Sequence, residues 1–319
     1  MSPEATAPAR LRIAYGDGEG ALLRFSFGAR GDEPFAIPCI RLAGPAGDEC
    51  WHAGELSETA DTCGAAWAHG EHYAMVALRV AEEGDVERAA LSAYQRLMTC
   101  VRPSAHPYLL RIWNYFGQIN AGEGDIERYR RFCVGRAAGV DGRFNDPPPA
   151  ATAIGASEGE GDGYLQVVAL CARGPAIALE NPRQTPAWRY PREYGPVSPG
   201  FSRGALLDAD TATPRLLASG TASIVGHVSQ HADDVAAQLS ESVANLEALL
   251  AEGSAKGQRA FSLSNCEALR VYLRDPADLA RVQDAVAATA LPADRVVYLQ
   301  GDVCRRELSV ELEGVFPAQ

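Results

Sequence analysis

The chain closes on RELSVELEG, residues 306–314. Glu307, Ser309, Glu311 and Glu313 fall on one side of an extended strand, and Leu308, Val310 and Leu312 on the other. Cys304, Arg305 and Arg306 stand directly before it, so a row of carboxylates meets a guanidinium turn. A carboxyl held in a partly dry cleft keeps its proton to near-neutral pH and can deliver it as a general acid. A strand with one face in water shows the same alternation; the neighbouring thiol and arginines are what favour a cleft.

A second group of residues suits an anion. NPRQTPAWRYPREYGPVSPGFSRG, residues 181–204, carries five prolines and four arginines in a chain whose formal net charge is -12. Arg189, Tyr190 and Arg203 come from this loop, and Tyr129, Arg136 and Arg143 from the segment before the Pro147–Pro149 triplet. A guanidinium grips a carboxylate through a planar two-pronged fork, and prolines reduce the entropy lost when a loop holds its binding shape. Two such forks fit a small dianion. Taken singly, each arginine also reads as a surface ion-pair partner. SGTASIVGH, residues 219–227, offers Gly220, Thr221 and Ala222 as a cavity wall of small residues; it lacks the GxSxG elbow of a nucleophilic serine. No GxxxxGK[ST] phosphate loop occurs in the chain.

These residues need a scaffold. LRIAYG, ALLRFSF and IPCIRLAG read as a strand meander. Apolar residues at helical spacing predict a helix over 85–102, stopped by Pro103, then the strand YLLRIWNYF at 108–116 and a helix over 125–135 with Ile126, Tyr129 and Cys133 on one side. Strands around YLQVVALCARG and PAIALE follow, then FSRGALLD and PRLLASG. A long helix is expected over 231–252, with Gly253 as its stop, then the strand CEALRVYLRD, a helix opened by Pro276, and two closing strands. Strands and helices thus recur in the same order, predicting a duplicated α+β chain with domains at 1–150 and 151–319, each a mixed sheet with helices packed on one face.

Composition excludes several classes. A 47% hydrophobic, 22% charged chain without an apolar run near ~20 residues reads as globular, with no membrane span. The acidic balance argues against a nucleic-acid partner. Eight cysteines without CxxC or histidine-spaced partners read as reduced thiols of a cytoplasmic protein, with no metal site.

LLRIWNYFGQIN, ERYRRFCVGR, the 181–204 loop, SGTASIVGH and YLQGDVCRRELSVELEG together resemble the chorismatase family over residues 109–314. The C-terminal half also resembles the RidA/YjgF unit, here with VELEG at its last strand. The resemblance implies two RidA/YjgF-like (chorismate-mutase-like) α/β domains and a cofactor-independent reaction on chorismate. It places the acid at Glu311 and Cys304 seven residues earlier, with Arg136, Arg143, Arg189, Arg203, Arg305, Tyr129, Tyr190 and Ala222 around the substrate. It further implies the subgroup yielding 3- and 4-hydroxybenzoate, in a monomer or small homo-oligomer; the hydrolytic product and a RidA-like imine deaminase are the alternatives.

Overall fold

The computed structural model describes residues 10–28, 35–54, 56, 58–62, 64–140, 142, 147–157, 159 and 161–319. Arg143 and Cys63 lie outside the described residues.

Two copies of one topology build the molecule. The first runs through strands Ala65–His69 and Tyr73–Ala81, helix α1 (Val86–Val101), strand Tyr108–Phe116, helix α2 (Arg128–Gly139), and strands Ala150–Gly155 and Tyr164–Ala172. The second repeats it with Gly204–Leu207, Arg215–Ala222, helix α3 (Val235–Gly257), Ala268–Leu273, helix α4 (Leu279–Ala287), Val296–Gln300 and Val310–Pro317. In each copy the strands after the two helices pair in parallel, and the last strand returns antiparallel between them and the hairpin. Added edge strands bring the sheets to six and seven strands; Arg41–Ala43 closes the second.

The duplicated α+β architecture stands, but the division at 150 does not follow the sheets. Ala150–Gly155 and Tyr164–Ala172 complete the first sheet, the latter paired to both Tyr73–Ala81 and Tyr108–Phe116. The repeat is therefore out of phase with a split at the proline triplet, because the closing strand of each copy inserts centrally rather than adding at an edge.

Local chemistry sets the elements. Asp85 and Asp234 cap α1 and α3, each accepting from two backbone N–H groups of the first turn. Val86, Ala90, Ala93, Leu97 and Val101 bury the face of α1. Helix α3 runs through Gly253 to Gly257 and ends where Gln258 turns left-handed at φ 52°. Gly253 is a contact rather than a stop: a Cβ there would lie 2.3 Å from Leu216 Cδ1 of the sheet below. The helix expected over 125–135 divides instead, into a 3-10 turn at Gly124–Ile126 and α2, because Glu127 adopts ψ 133°; Ile126 is left exposed.

Helices cover the outer face of each sheet, and the inner faces share a core that includes Trp113, Tyr115, Leu217, Tyr272 and Val297. The meander of Arg12–Gly16, Leu23–Phe25 and Asp48–His52 adds Phe25 and Trp51, which meet Trp113 edge-on at 5.6 and 5.5 Å. Among the described residues, no helix is long and apolar enough to cross a membrane, and seven cysteines are free thiols.

Candidate active site

A cavity of about 380 Å³ opens where α2 and the Ala150–Gly155 strand of the first copy face the last strand of the second. Glu311 lies between Ala222 and Tyr272 in strand register and is 5% exposed. Val310 and Leu312 point the other way, into the core under α3. The alternation is that of a two-sided buried strand, and the polar face looks inward.

Glu311 and Glu313 share that face with opposite electrostatics. Burial, then the charge of Glu313, raises the Glu311 carboxyl from its ordinary value to about 8, against the opposing pull of Arg111 and Arg203. Glu313 is buried as well, which alone would push it up. Arg111 and Arg270, with hydrogen bonds from Thr152 and Tyr272, hold it below the usual carboxylate range. One carboxyl is thus a proton reservoir facing the cavity and the other a fixed anion behind it.

Five arginines line the cavity. Arg130 pairs with Glu127, and Arg306 is exposed and donates to the Asn120 carbonyl. The other three are Arg136 from α2, Arg203 from the end of the proline-rich loop and Arg305 from the turn before the last strand. Arg305 lies over the Tyr194 ring at 4.2 Å and donates to the His227 carbonyl and to Ser229 Oγ. Arg203 donates to Tyr190 Oη at 2.7 Å and to the Thr185 carbonyl. Each keeps one buried N–H without a partner: Arg136 Nε, Arg203 Nε and Arg305 Nη2. Among the described residues no carboxylate forms an ion pair with any of the three, although acids outnumber bases in the chain. Arg136 and Arg203 are buried and Arg305 is half-buried; buried cations left unpaired cost stability, so their arrangement points to an anionic ligand.

Eight of the ten residues named from the sequence line this one cavity: Glu311, Cys304, Arg136, Arg203, Arg305, Tyr129, Tyr190 and Ala222. Arg143 lies outside the described residues, and Arg189 does not line the cavity. Arg189 ends the 3-10 turn at Ala187–Arg189 and is exposed, while the next residue, Tyr190, turns inward and is buried. Of the loop's other cations, Arg183 pairs with Glu241 on α3 and Arg192 with Asp125. Burial, followed by the nearby Glu311, pushes the Cys304 thiol up to about 12, so it is no thiolate at neutral pH.

Thr152, Arg111 and Arg270 were not singled out from the sequence. Their signal is an arginine inside the otherwise apolar strands YLLRIWNYF and ALRVYL, where a buried charge requires a partner. Gly220 does belong to the wall: a Cβ there would stand 2.0 Å from Glu311 Oε1. Gly220→Ala is expected to displace the carboxyl and lower kcat by about 100-fold. Steady-state kinetics checks this, and wild-type kcat would show that the close approach is irrelevant.

The site defines a class: a duplicated α+β fold whose closing strand presents a buried carboxyl, raised from its ordinary value, to an arginine-lined cleft between the two copies. Residues 49–171 match the family model for chorismatase FkbO/Hyg5-like, N-terminal, whose limit coincides with the end of the first sheet at Ala172. A chorismatase of Streptomyces rapamycinicus is 37% identical over 274 residues, 84% of this chain and 81% of that protein. A 3-hydroxybenzoate synthase of Streptomyces hygroscopicus is 34% identical over 279 residues, 84% and 80% of the two. A crystal structure of a chorismatase matches with a TM-score of 0.83 at 32% identity, covering 97% of this chain and 98% of that one. The chain belongs to the chorismatase family and is an enzyme.

Proposed function

We propose that the enzyme converts chorismate to pyruvate with 3- and 4-hydroxybenzoate, Glu311 protonating the terminal methylene of the enolpyruvyl ether. The observation that carries this reading is a buried Glu311, its carboxyl raised to about 8, in the same cavity as three arginines that lack carboxylate partners among the described residues. Chorismate is a dicarboxylate, and the guanidiniums of Arg136, Arg203 and Arg305 meet its two anionic ends. Transfer of the Glu311 proton forms a C–H bond at the methylene and leaves an oxocarbenium centre beside the ether oxygen. Capture of that cation by the substrate's own hydroxyl, or elimination, then releases pyruvate and aromatises the ring. Hydroxybenzoate and pyruvate together sum to chorismate, so the balance requires no oxidant and no net water.

Support for aromatisation over hydrolysis comes from the wall beside the acid. Ala222, Ile224 and Cys304 line it, and the buried Val303 and Leu308 pack behind them in one apolar cluster. A neutral thiol on such a wall shapes the cavity and keeps water from the cation. The free thiols suit a cytoplasmic enzyme. Purified protein incubated with chorismate is expected to yield pyruvate with both hydroxybenzoates on chromatography. A dihydroxycyclohexadienoate product would overturn the aromatising reading, and pyruvate no faster than the uncatalysed background would overturn the whole.

The pH dependence follows in sign. Glu311 is raised, so its proton is held at neutrality and lost as pH climbs through about 8. The rate kcat/KM is therefore expected to be level below that value and to fall by about tenfold per unit above it. The same raised carboxyl stabilises the fold by an amount fully present below its unfolded value of 4.5 and lost as pH rises through about 8. An activity profile that declines on acidification from pH 7 to 6 would contradict this.

A further inference from the structure

Glu313 does not line the cavity, yet it is the most tightly bound carboxylate near it. Arg111 Nη2 and Thr152 Oγ1 donate to its Oε2, and Arg270 Nη1 (3.0 Å) and Tyr272 Oη (2.7 Å) donate to its Oε1. Four donors and no acceptor satisfy only the ionised form. Arg270 is itself clamped on its other side by Glu49, at 2.6 and 3.0 Å, so the cluster of Arg111, Arg270, Glu49 and Glu313 is electrically balanced. Glu311, two residues back on the same face and roughly 7 Å away along the strand, receives no hydrogen bond from any described residue.

Thr152 joins the two. Its hydroxyl donates to Glu313 Oε2 at 2.6 Å and accepts from Gly220 N–H at 2.8 Å, and Gly220 is the residue whose missing Cβ makes room for Glu311 Oε1. The duplicated fold supplies an internal control. Strand register aligns Phe116 and Leu165 of the first copy with Leu273 and Val310 of the second, which places Gln166 opposite Glu311 and Val168 opposite Glu313. The copy without the acid also lacks the second carboxylate.

From this geometry we infer that Glu313 is a positioning residue for the acid. Its immobile negative charge keeps the proton on Glu311, and its hold on Thr152 keeps the neighbouring wall in place. The inference rests on the reading of Glu311 as the proton donor. The charged groups that face Glu311 are Glu313, Arg111 and Arg203; Tyr129 and Cys304, also beside it, are pushed upward by burial and stay neutral near pH 7. Removing Glu313 deletes the one anion of this set and leaves the cations, so Glu311 ionises earlier.

The test is the pH profile of kcat/KM in Glu313→Gln. The expected result is an alkaline limb moved down by about one pH unit, with about fivefold less activity at pH 8, approaching tenfold above pH 9, recovery near pH 6 and little change in KM. Tyr272→Phe disturbs the same cluster while keeping the charge, and its limb should stay with wild type. If Glu313→Gln does not fold, Glu313→Gln/Arg111→Met removes both partners of one buried pair and leaves Arg270 on Glu49; because Glu313 acts on Glu311 more strongly than Arg111 does, its limb should still move down, by less. A folded variant lacking Glu313 whose limb matches wild type, or an equal loss at every pH, overturns the inference. Wild-type turnover by Glu311→Gln would instead overturn the assignment of the acid, which the Glu313 variants leave separate.

Discussion

Glu311→Gln is expected to lower chorismate turnover by about 100- to 10,000-fold, the usual contribution of one positioned general acid, with substrate affinity retained. The amide matches the carboxyl in size and, at neutral pH, in charge, because the wild-type group is protonated there. The cationic groups of the cavity therefore see the same neutral neighbour, and only the transferable proton is gone. Thermal stability should hold or rise, since a buried ionisable group is replaced by one that never carries charge. Pyruvate release measures the first effect, calorimetric binding of chorismate the second, and thermal denaturation the third. A variant that turns over near the wild-type rate would remove Glu311 from the chemistry.

Arg136→Met is expected to move activity and stability in opposite directions. Arg136 is 7% exposed, lies 5.3 Å above the Tyr94 ring and leaves Nε unpartnered. Without ligand this is a buried cation lacking a counter-ion, a state that costs stability and that a long apolar side chain relieves. With a dianion bound, the same guanidinium forms a desolvated charge pair. Losing one partner of such a pair costs about 2–5 kcal/mol, or roughly 30- to several-thousand-fold in affinity. The expected outcome is a raised Tm together with a KM raised by at least about tenfold. A lowered Tm with unchanged KM would make Arg136 a structural residue. Arg203→Met should share the loss of affinity without the gain in Tm, because its guanidinium also bonds Tyr190 and the Thr185 carbonyl.

Legibility in the sequence followed the range of the interactions involved. The apolar spacing in α1 and α3 announced both helices, since residues three and four apart share a face whatever lies beyond them. Their ends were less readable: Gly253 carries the mark of a stop, but it serves the approach of α3 to Leu216, a contact made across the layer. The repeat of elements was visible and its phase was not. Tyr164–Ala172 reads the same whether it opens the second sheet or closes the first, and only pairing with strands more than 40 residues earlier decides.

The site divides in the same way. By itself the sequence determined the inventory: an acid on an alternating last strand, a thiol and arginines before it, and stiff loops bearing cations, all of which depend on residue type and short spacing. Tertiary structure decided which members meet. It turned Tyr190 inward and left Arg189 outside, paired Arg183 and Arg192 with Glu241 and Asp125, and left Arg136, Arg203 and Arg305 without a carboxylate among the described residues. It also set the two glutamates apart, because protonation depends on dielectric and on charges contributed by distant elements: Arg111 from the first sheet, and Arg270 held by Glu49 from the meander.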